Sequence, residues 1–316
     1  MSNVDPLNQQ VLSGLRAPQK TLPPTLFYDS EGSALFDQIT ALEEYYPTRV
    51  EGEIFSVHGQ SIAAAATDGA AAVVLIEPGC GSGAKAASLL CHLPARAYVG
   101  IDVSVTALEA GASRLRDQFA GLAVVAVEAD YHQPLCLPPL PEGRRVGFFP
   151  GSTIGNFDPD GAVAFLGLLA ELVGPDGRLV IGVDLWKDPA VLHAAYDDAQ
   201  GVTAAFNRNA LSHLNRRAGA NFQPETFVHE ARVNEDLRRV EMHLVSRLSQ
   251  AFVVQGQSFF IEAGESIHTE NSYKYDEESF AGLARRAGLR NVAHWTDARR
   301  RFAVFLFAVD GQGLGR

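Results

Sequence analysis

The segment Leu75-Ile76-Glu77-Pro78-Gly79-Cys80-Gly81-Ser82-Gly83 decides how this chain folds. Its front half closes the apolar, β-branched run Ala72–Glu77, which reads as a parallel strand buried on both faces. Glycine then falls at every second position, so the backbone can turn tightly and approach a ligand with no Cβ in the way. The spacing is G-x-G-x-G. A dinucleotide fingerprint, G-x-G-x-x-G, would need its third glycine at position 84, where Ala84 stands. An acid at Glu77, just ahead of the first glycine, also suits a cationic aminoacyl group better than a pyrophosphate.

Strand and helix alternate outward from this segment. A helix is expected over roughly Gly83–His92, a strand at Ala97–Asp102, a helix at Ser104–Gln118, and strands at Ala123–Ala129 and Arg145–Phe149. Asp158–Val173 reads as a helix opened by Asp-Pro-Asp and closed by Gly174-Pro175, and Arg178–Leu185 as the next strand. This alternation predicts a doubly wound α/β sheet with its ligand at the carboxyl ends of the strands. The residues at those ends are informative. Asp102 can accept both hydroxyls of a ribose, and Asp130-Tyr131 can meet an adenine ring and its amino group. With Glu77, Gly79 and Gly81, three strand ends in order carry what S-adenosylmethionine needs. The expected fold is therefore α/β, a class I SAM-dependent methyltransferase (Rossmann-like) domain.

The alternation then breaks. Pro189 to about Arg217 reads as one or two helices, followed by long alternating strands at Val240–Leu248 and Ala251–Glu262. A helix at Asp276–Ala287 and strands at Asn291–Thr296 and Phe302–Val309 restore the sheet pattern. The division expected is a SAM-binding domain of residues 50–186 and 275–316, and a second, substrate-binding lobe built from the N-terminus, 1–49, and a late insertion, 187–274.

Composition narrows the partners. The net charge is −11, and Arg299-Arg300-Arg301 is the one basic run that stands out, so nucleic acid is an unsuitable partner. Cys80, Cys91 and Cys136 form neither an even framework nor a C-x-x-C, which disfavours disulfides and a zinc ribbon; no metal is expected. The start is polar, without the apolar run of a signal peptide. The apolar stretch Ile62–Leu75 is broken by Thr67-Asp68-Gly69 and is too short for a membrane span. The expectation is a cytoplasmic monomer acting on a small molecule, away from membranes.

Longer strings carry a more specific signal. Phe27-Tyr28-Asp29, Leu35-Phe36-Asp37-Gln38-Ile39-Thr40 and Glu44-Tyr45-Tyr46-Pro47-Thr48-Arg49 lie ahead of the sheet. Gly151-Ser152-Thr153-Ile154-Gly155-Asn156, Ala195-Tyr196-Asp197-Asp198, Thr203-Ala204-Ala205-Phe206-Asn207-Arg208-Asn209 and Thr269-Glu270-Asn271-Ser272 follow. With these, nearly the whole chain resembles the histidine-specific Nα-methyltransferases of ergothioneine biosynthesis, which make trimethylhistidine (hercynine). The resemblance implies that Gly79, Lys85, Asp102, Asp130 and Tyr131 contact S-adenosylmethionine. It implies that Tyr45, Asn156, Tyr196, Glu270 and Ser272 contact L-histidine and that Met242 lines its pocket. The chain departs from the family pattern at the glycine loop, at Ser104, often acidic, and at Asn271, commonly small and apolar.

The chemistry is compatible with these roles. Methyl transfer from a sulfonium is an in-line displacement, so the protein mainly holds a neutral amine in line with the methyl carbon. Asn156 can donate to a carboxylate and accept from an amine, or it can cap the helix that begins near Asp158. Tyr45 and Tyr196 offer uncharged phenolic donors; one of Tyr45-Tyr46 is expected to be structural, and Asp197-Asp198 to be a solvated helix face. Glu270 and Ser272 alternate on an extended segment, where a carboxylate and a hydroxyl can bind both imidazole nitrogens; the competing reading pairs Glu270 with Lys274. The resemblance implies that Tyr28 touches the amine, directly or through water, against a core role for the same ring, and loss of the ammonium proton through water near Tyr28 or Asn156 makes these two the catalytic candidates. His132 reads as a surface or adenine-side residue. Methylation of another amino acid or small amine is the alternative.

Overall fold

The computed structural model describes residues 5–131 and 133–310, so His132 lies outside the described residues. The chain divides into two compact units, Met1–Tyr46 with Lys187–Tyr273, and Pro47–Trp186 with Lys274–Arg316.

In chain order the first elements are α1 (Pro6–Arg16), β1 (Lys20–Thr21), a 3-10 turn at Pro24–Phe27, α2 (Ser30–Ala41) and α3 (Tyr46–Thr67). Next come β2 (Val73–Pro78), α4 (Ala84–Leu90), β3 (Ala95–Asp102), α5 (Val105–Gln118), β4 (Ala123–Glu128) and β5 (Arg144–Phe149). A 3-10 turn at Thr153–Asn156 leads to α6 (Pro159–Val173), β6 (Arg178–Asp184), α7 (Pro189–Tyr196) and α8 (Val202–Ala218). The remainder is β7 (Phe227–Asn234), β8 (Arg239–Ser246), β9 (Gln250–Val254), β10 (Gln257–Ile261), β11 (Ser266–Tyr273), α9 (Glu277–Arg286), β12 (Leu289–Thr296) and β13 (Phe302–Val309).

The second unit is built on a seven-stranded sheet in the order β12-β13-β6-β5-β2-β3-β4. Strands β2 to β6 run parallel, and β13 pairs antiparallel with β6 and with β12. Every residue of β2 and of β13 is buried, the pattern of central strands covered on both faces. The chain leaves β2 toward β3 on one side and returns to β5 on the other, so the crevice beyond the end of β2 is the topological switch point. The caps follow the sequence. Asp158 opens α6 by accepting from the Gly161 N–H at 2.7 Å, and Asp276 and Ser279 form a capping box on α9.

In the first unit a four-stranded sheet, β1-β11-β8-β7, packs on α7 and α8 beside the two-stranded β9-β10 hairpin. Here the sequence reading needs correction. Ala251–Glu262 is not one strand but a hairpin turned at Gln255-Gly256, both with positive φ. Strands β1 and β7 lie outside the expected strands, while β11 takes up the extended segment expected at Glu270 and Ser272. Asp197-Asp198 is not a solvated face as a whole, because Asp198 is buried and accepts from the Val202 and Thr203 N–H groups at 3.0 and 2.7 Å, capping α8.

At the end of β6, Lys274 Nζ meets Asp184 Oδ2 at 2.9 Å with both side chains wholly buried. Removing one partner strands a charge in the interior. Lys274→Ala is expected to destabilise this unit by about 3–5 kcal/mol, read as a fall in the denaturant midpoint; an unchanged midpoint would contradict the pairing.

Candidate active site

The glycine loop after β2 is a positive-φ turn, with φ of 68°, 48° and 64° at Gly79, Gly81 and Gly83. The Gly79 and Cys80 N–H groups donate to Ile101 O at 2.7 and 3.2 Å, tying the loop to the end of β3. Asp102 braces it as well: Oδ2 accepts from the Gly81 N–H and Oδ1 from the Ser104 N–H, both at 3.0 Å. Each carboxylate oxygen keeps a lone pair for a hydroxyl. The Tyr131 ring lies over Gly79, where an added Cβ would come within 3.2 Å of Cε1. It sits edge-on to Phe149 and Phe165 at 6.2 and 5.9 Å, and its burial holds the phenol protonated. Asp130 is exposed at the same strand end.

Glu77, the acid expected to suit a cationic aminoacyl group, is almost without exposed surface. It is buried behind the loop, with Oε2 accepting from the Tyr98 hydroxyl at 2.5 Å. Burial pushes its pKa up to about 8, against the opposing effect of that hydrogen bond, so the acid is mostly neutral at pH 7.

Lys85, on α4, forms an ion pair with Glu51 at 2.8 Å. The other Glu51 oxygen accepts from the Gly151 N–H at 2.7 Å. A Cβ at Gly151 would stand 2.7 Å from Lys85 Nζ, so the turn after β5 approaches this pair through a glycine. Ser152 follows with φ 58°, a left-handed conformation for a residue with a side chain, and its Oγ accepts from the Asp184 N–H at 2.8 Å. This pinned turn ends at half-buried Asn156. Because Asp158 caps α6, Asn156 is not needed as the cap.

The first unit gathers another set. Tyr28, 43% exposed, contacts Phe36 edge-on at 5.9 Å. Phe36 contacts Tyr45 at 6.3 Å, and Tyr45 contacts Tyr196 at 6.2 Å. The Tyr196 hydroxyl and Ser272 Oγ share a 2.7 Å hydrogen bond. Tyr46 is the structural member of its pair, buried and accepting from Lys187 Nζ at 2.6 Å.

Glu270, Ser272 and Met242 are buried on one face of the β8–β11 pair, with Glu270 directly opposite Met242. Asn271, opposite Glu241, takes the other face and does not stand between Glu270 and Ser272. Lys274 pairs with the buried Asp184 carboxylate.

The sequence reading missed two organising residues. Asn207, wholly buried on α8, donates to His229 Nδ1 at 2.8 Å and His243 O at 3.1 Å, and accepts from Thr269 Oγ1 at 2.8 Å. His229 Nε2 in turn contacts Tyr196 O at 2.7 Å, and burial lowers the pKa of this imidazole. Glu51 is the second. Both were findable, because each is a polar residue on a buried helical stripe: Glu51 with Ile54 and Phe55, Asn207 with Thr203, Phe206 and Ala210.

A parallel sheet in this order, a glycine turn at its switch point and a carboxylate ending the next strand define a class I SAM-dependent methyltransferase. The family model described as histidine-specific methyltransferase, SAM-dependent, matches residues 7–309, and the chain belongs to that family. It is 40% identical to the histidine N-alpha-methyltransferase of Mycolicibacterium smegmatis, covering 96% of this chain and 95% of that one. It is 31% identical to ergothioneine biosynthesis protein 1 of Neurospora crassa over 88% of this chain, which is 32% of that protein. Among solved structures, a SAM-dependent methyltransferase from Clostridium acetobutylicum aligns with a TM-score of 0.47 at 13% identity, over 89% of this chain and 98% of that one.

Two outcomes test the cofactor side. Gly79→Ala demands φ 68° of a residue with a Cβ and crowds Tyr131, a strain of about 1–2 kcal/mol. Calorimetry is expected to show S-adenosylmethionine bound about tenfold more weakly; equal affinity would contradict the site. For Glu77, the folded pKa lies above the ordinary value, so the folded form holds the proton more tightly. Its penalty is absent below about pH 4.5 and grows as pH rises toward 8. Glu77→Gln should therefore melt close to wild type at pH 5 and gain on it steadily up to pH 8; a gap independent of pH would rule this out.

Proposed function

We propose that this protein transfers methyl groups from S-adenosylmethionine to the α-amine of free L-histidine, three times in succession, giving trimethylhistidine (hercynine) for ergothioneine biosynthesis. The observation that carries the substrate is the buried face of β11, where a carboxylate and a hydroxyl, Glu270 and Ser272, sit on one side and Ser272 is hydrogen-bonded to Tyr196. Family membership supports the same reading.

The loop glycines and Asp102 suit the donor. An added Cβ at Gly81 would meet nothing within 4 Å, leaving room for a ligand over the loop. We assign Gly79, Gly81, Lys85, Asp102, Asp130 and Tyr131 to hold S-adenosylmethionine, with neutral Glu77 supporting the loop from behind. When bound, the donor supplies a methyl carbon made electrophilic by its sulfonium.

The substrate-binding role belongs to the N-terminal segment and the 187–274 insertion. Glu270 accepts an imidazole N–H while Ser272, oriented by Tyr196, hydrogen-bonds the second ring nitrogen. Met242 packs on the ring and Tyr45 adds a phenolic donor. Asn156 holds the amino-acid head group, and Tyr28 assists removal of the ammonium proton, directly or through a water.

The three cysteines are unpaired, which suits the reducing cytoplasm, and no helix among the described residues is long and apolar enough to cross a membrane. We propose that the protein acts as a monomer on a small molecule, without nucleic acid or membrane.

Phenylalanine or leucine on this face would offer the Glu270 carboxylate no ring N–H to accept, forfeiting a charge-assisted hydrogen bond of about 3 kcal/mol. Glu270→Ala is expected to lower kcat/KM for histidine roughly 100-fold, about 3 kcal/mol, and to lose most of the preference over phenylalanine. A variant that still strongly preferred histidine would remove Glu270 from this role.

A further inference from the structure

The face of the β8–β11 pair opposite Glu270 and Ser272 carries a second constellation. His243 and His268 face each other across the two strands, and Glu241 lies two residues before His243 on the same face. His243 Nε2 and Glu241 Oε2 are 3.1 Å apart. The two imidazole rings stack at 4.7 Å, and one ligand atom from each of the three residues lies within 4.8 Å of the others.

The geometry points to a divalent metal site formed by Glu241, His243 and His268, taking a first-row ion of the zinc class. Two imidazoles and one carboxylate form a donor set that zinc, cobalt or nickel accepts. The outer shell is in place. His268 Nε2 contacts Glu270 O at 3.0 Å, which leaves Nδ1 for a metal. His243 Nδ1 contacts Ser266 Oγ at 3.2 Å, which leaves Nε2. Glu241 Oε1 is engaged by Arg239 and Asn234, so Oε2 is the atom that turns to the site.

A second observation points the same way. Asn271 lies opposite Glu241 on this face, and its buried Oδ1 makes no hydrogen bond of good geometry among the described residues while acting on the neighbouring His268 imidazole. An amide oxygen can serve as a fourth donor.

The metal takes the place of the proton now shared by His243 and Glu241. That proton moves to His243 Nδ1 and is donated to Ser266, so the imidazole stays neutral, and Arg232 Nη1, which contacts Nδ1 at 3.4 Å, turns away while Arg232 keeps its bonds to Glu230. Tetrahedral ligands at about 2.0–2.1 Å stand roughly 3.4 Å apart, so the widest pair closes by at most roughly 1.4 Å as the stacked rings splay. Arg239, held by Glu241, and Arg232, held by Glu230, oppose a cation and favour a single divalent ion over a cluster.

The test uses the full chain without an affinity tag, stripped with a chelator and returned to zinc or cobalt. Bound zinc after dialysis is expected at one equivalent per chain. Cobalt is expected to give visible absorption bands that saturate at the same ratio, with a rise in melting temperature. His268→Gln and Glu241→Ala should each weaken binding at least about tenfold, while His294→Gln, in the other unit, binds like wild type. Ser266→Ala, a milder change, should weaken binding without loss of fold. If the wild type takes up no zinc or cobalt saturably, or if the His268 and Glu241 variants bind as wild type does, the site is overturned. The wild-type result decides the matter even if a variant fails to fold.

Discussion

Asn207 accepts a hydrogen bond from Thr269 Oγ1 inside a β-bulge, and the arrangement of the first unit depends on it. Pairing of β11 with β8 is regular up to His268 and resumes at Glu270, so Thr269 is the extra residue. Thr269 Oγ1 also approaches Met242 O at 3.0 Å. Without the bulge, His268 would share a face with Glu270 and Ser272, because side chains alternate along a strand. With it, Glu270 and Ser272 join Met242 on the buried face, while His268 and Asn271 join Glu241 and His243 on the other. One inserted residue thus separates the face proposed to bind substrate from a cluster of metal-ligand type.

The second unit uses a comparable economy at its switch point. Asp102 both ends β3 and braces the glycine loop, so the carboxylate proposed for a ribose is already held in place. Glu51 couples Lys85 to the turn that begins at Gly151, and Ser152 accepts its left-handed geometry in exchange for a bond to the Asp184 N–H. Asn156 comes at the end of this turn, presented by a backbone that is held at several points.

Legibility followed the physics of each region. The strands of the seven-stranded sheet were readable because β2, β5, β6 and β13 are apolar runs bounded by turn residues, and the helices beside them carry ordinary caps such as Asp158 and Asp276. The inserted sheet was harder to read. The strand β11, Ser-Ile-His-Thr-Glu-Asn-Ser-Tyr, is polar on both faces, and its bulge destroys the alternation that would have marked it. The β9–β10 hairpin turns at Gln255-Gly256 inside a continuous apolar stretch, so it read as one strand. Of the candidate site, Asp102, Tyr131, Tyr196 and Ser272 could be placed by strand ends and motif strings. His229 and the Glu241–His243–His268 cluster depend on long-range pairing that no local spacing reveals.

The central claim is that one buried carboxylate-and-hydroxyl face selects histidine for methylation on its α-amine. The most direct measurement offers the protein S-adenosylmethionine with an equimolar mixture of all free amino acids and reads the products by mass spectrometry with fragmentation. The account predicts that histidine alone gains methyl groups, up to three, all on the α-nitrogen. Methyl groups on the imidazole ring, or on another amino acid in preference to histidine, would contradict it.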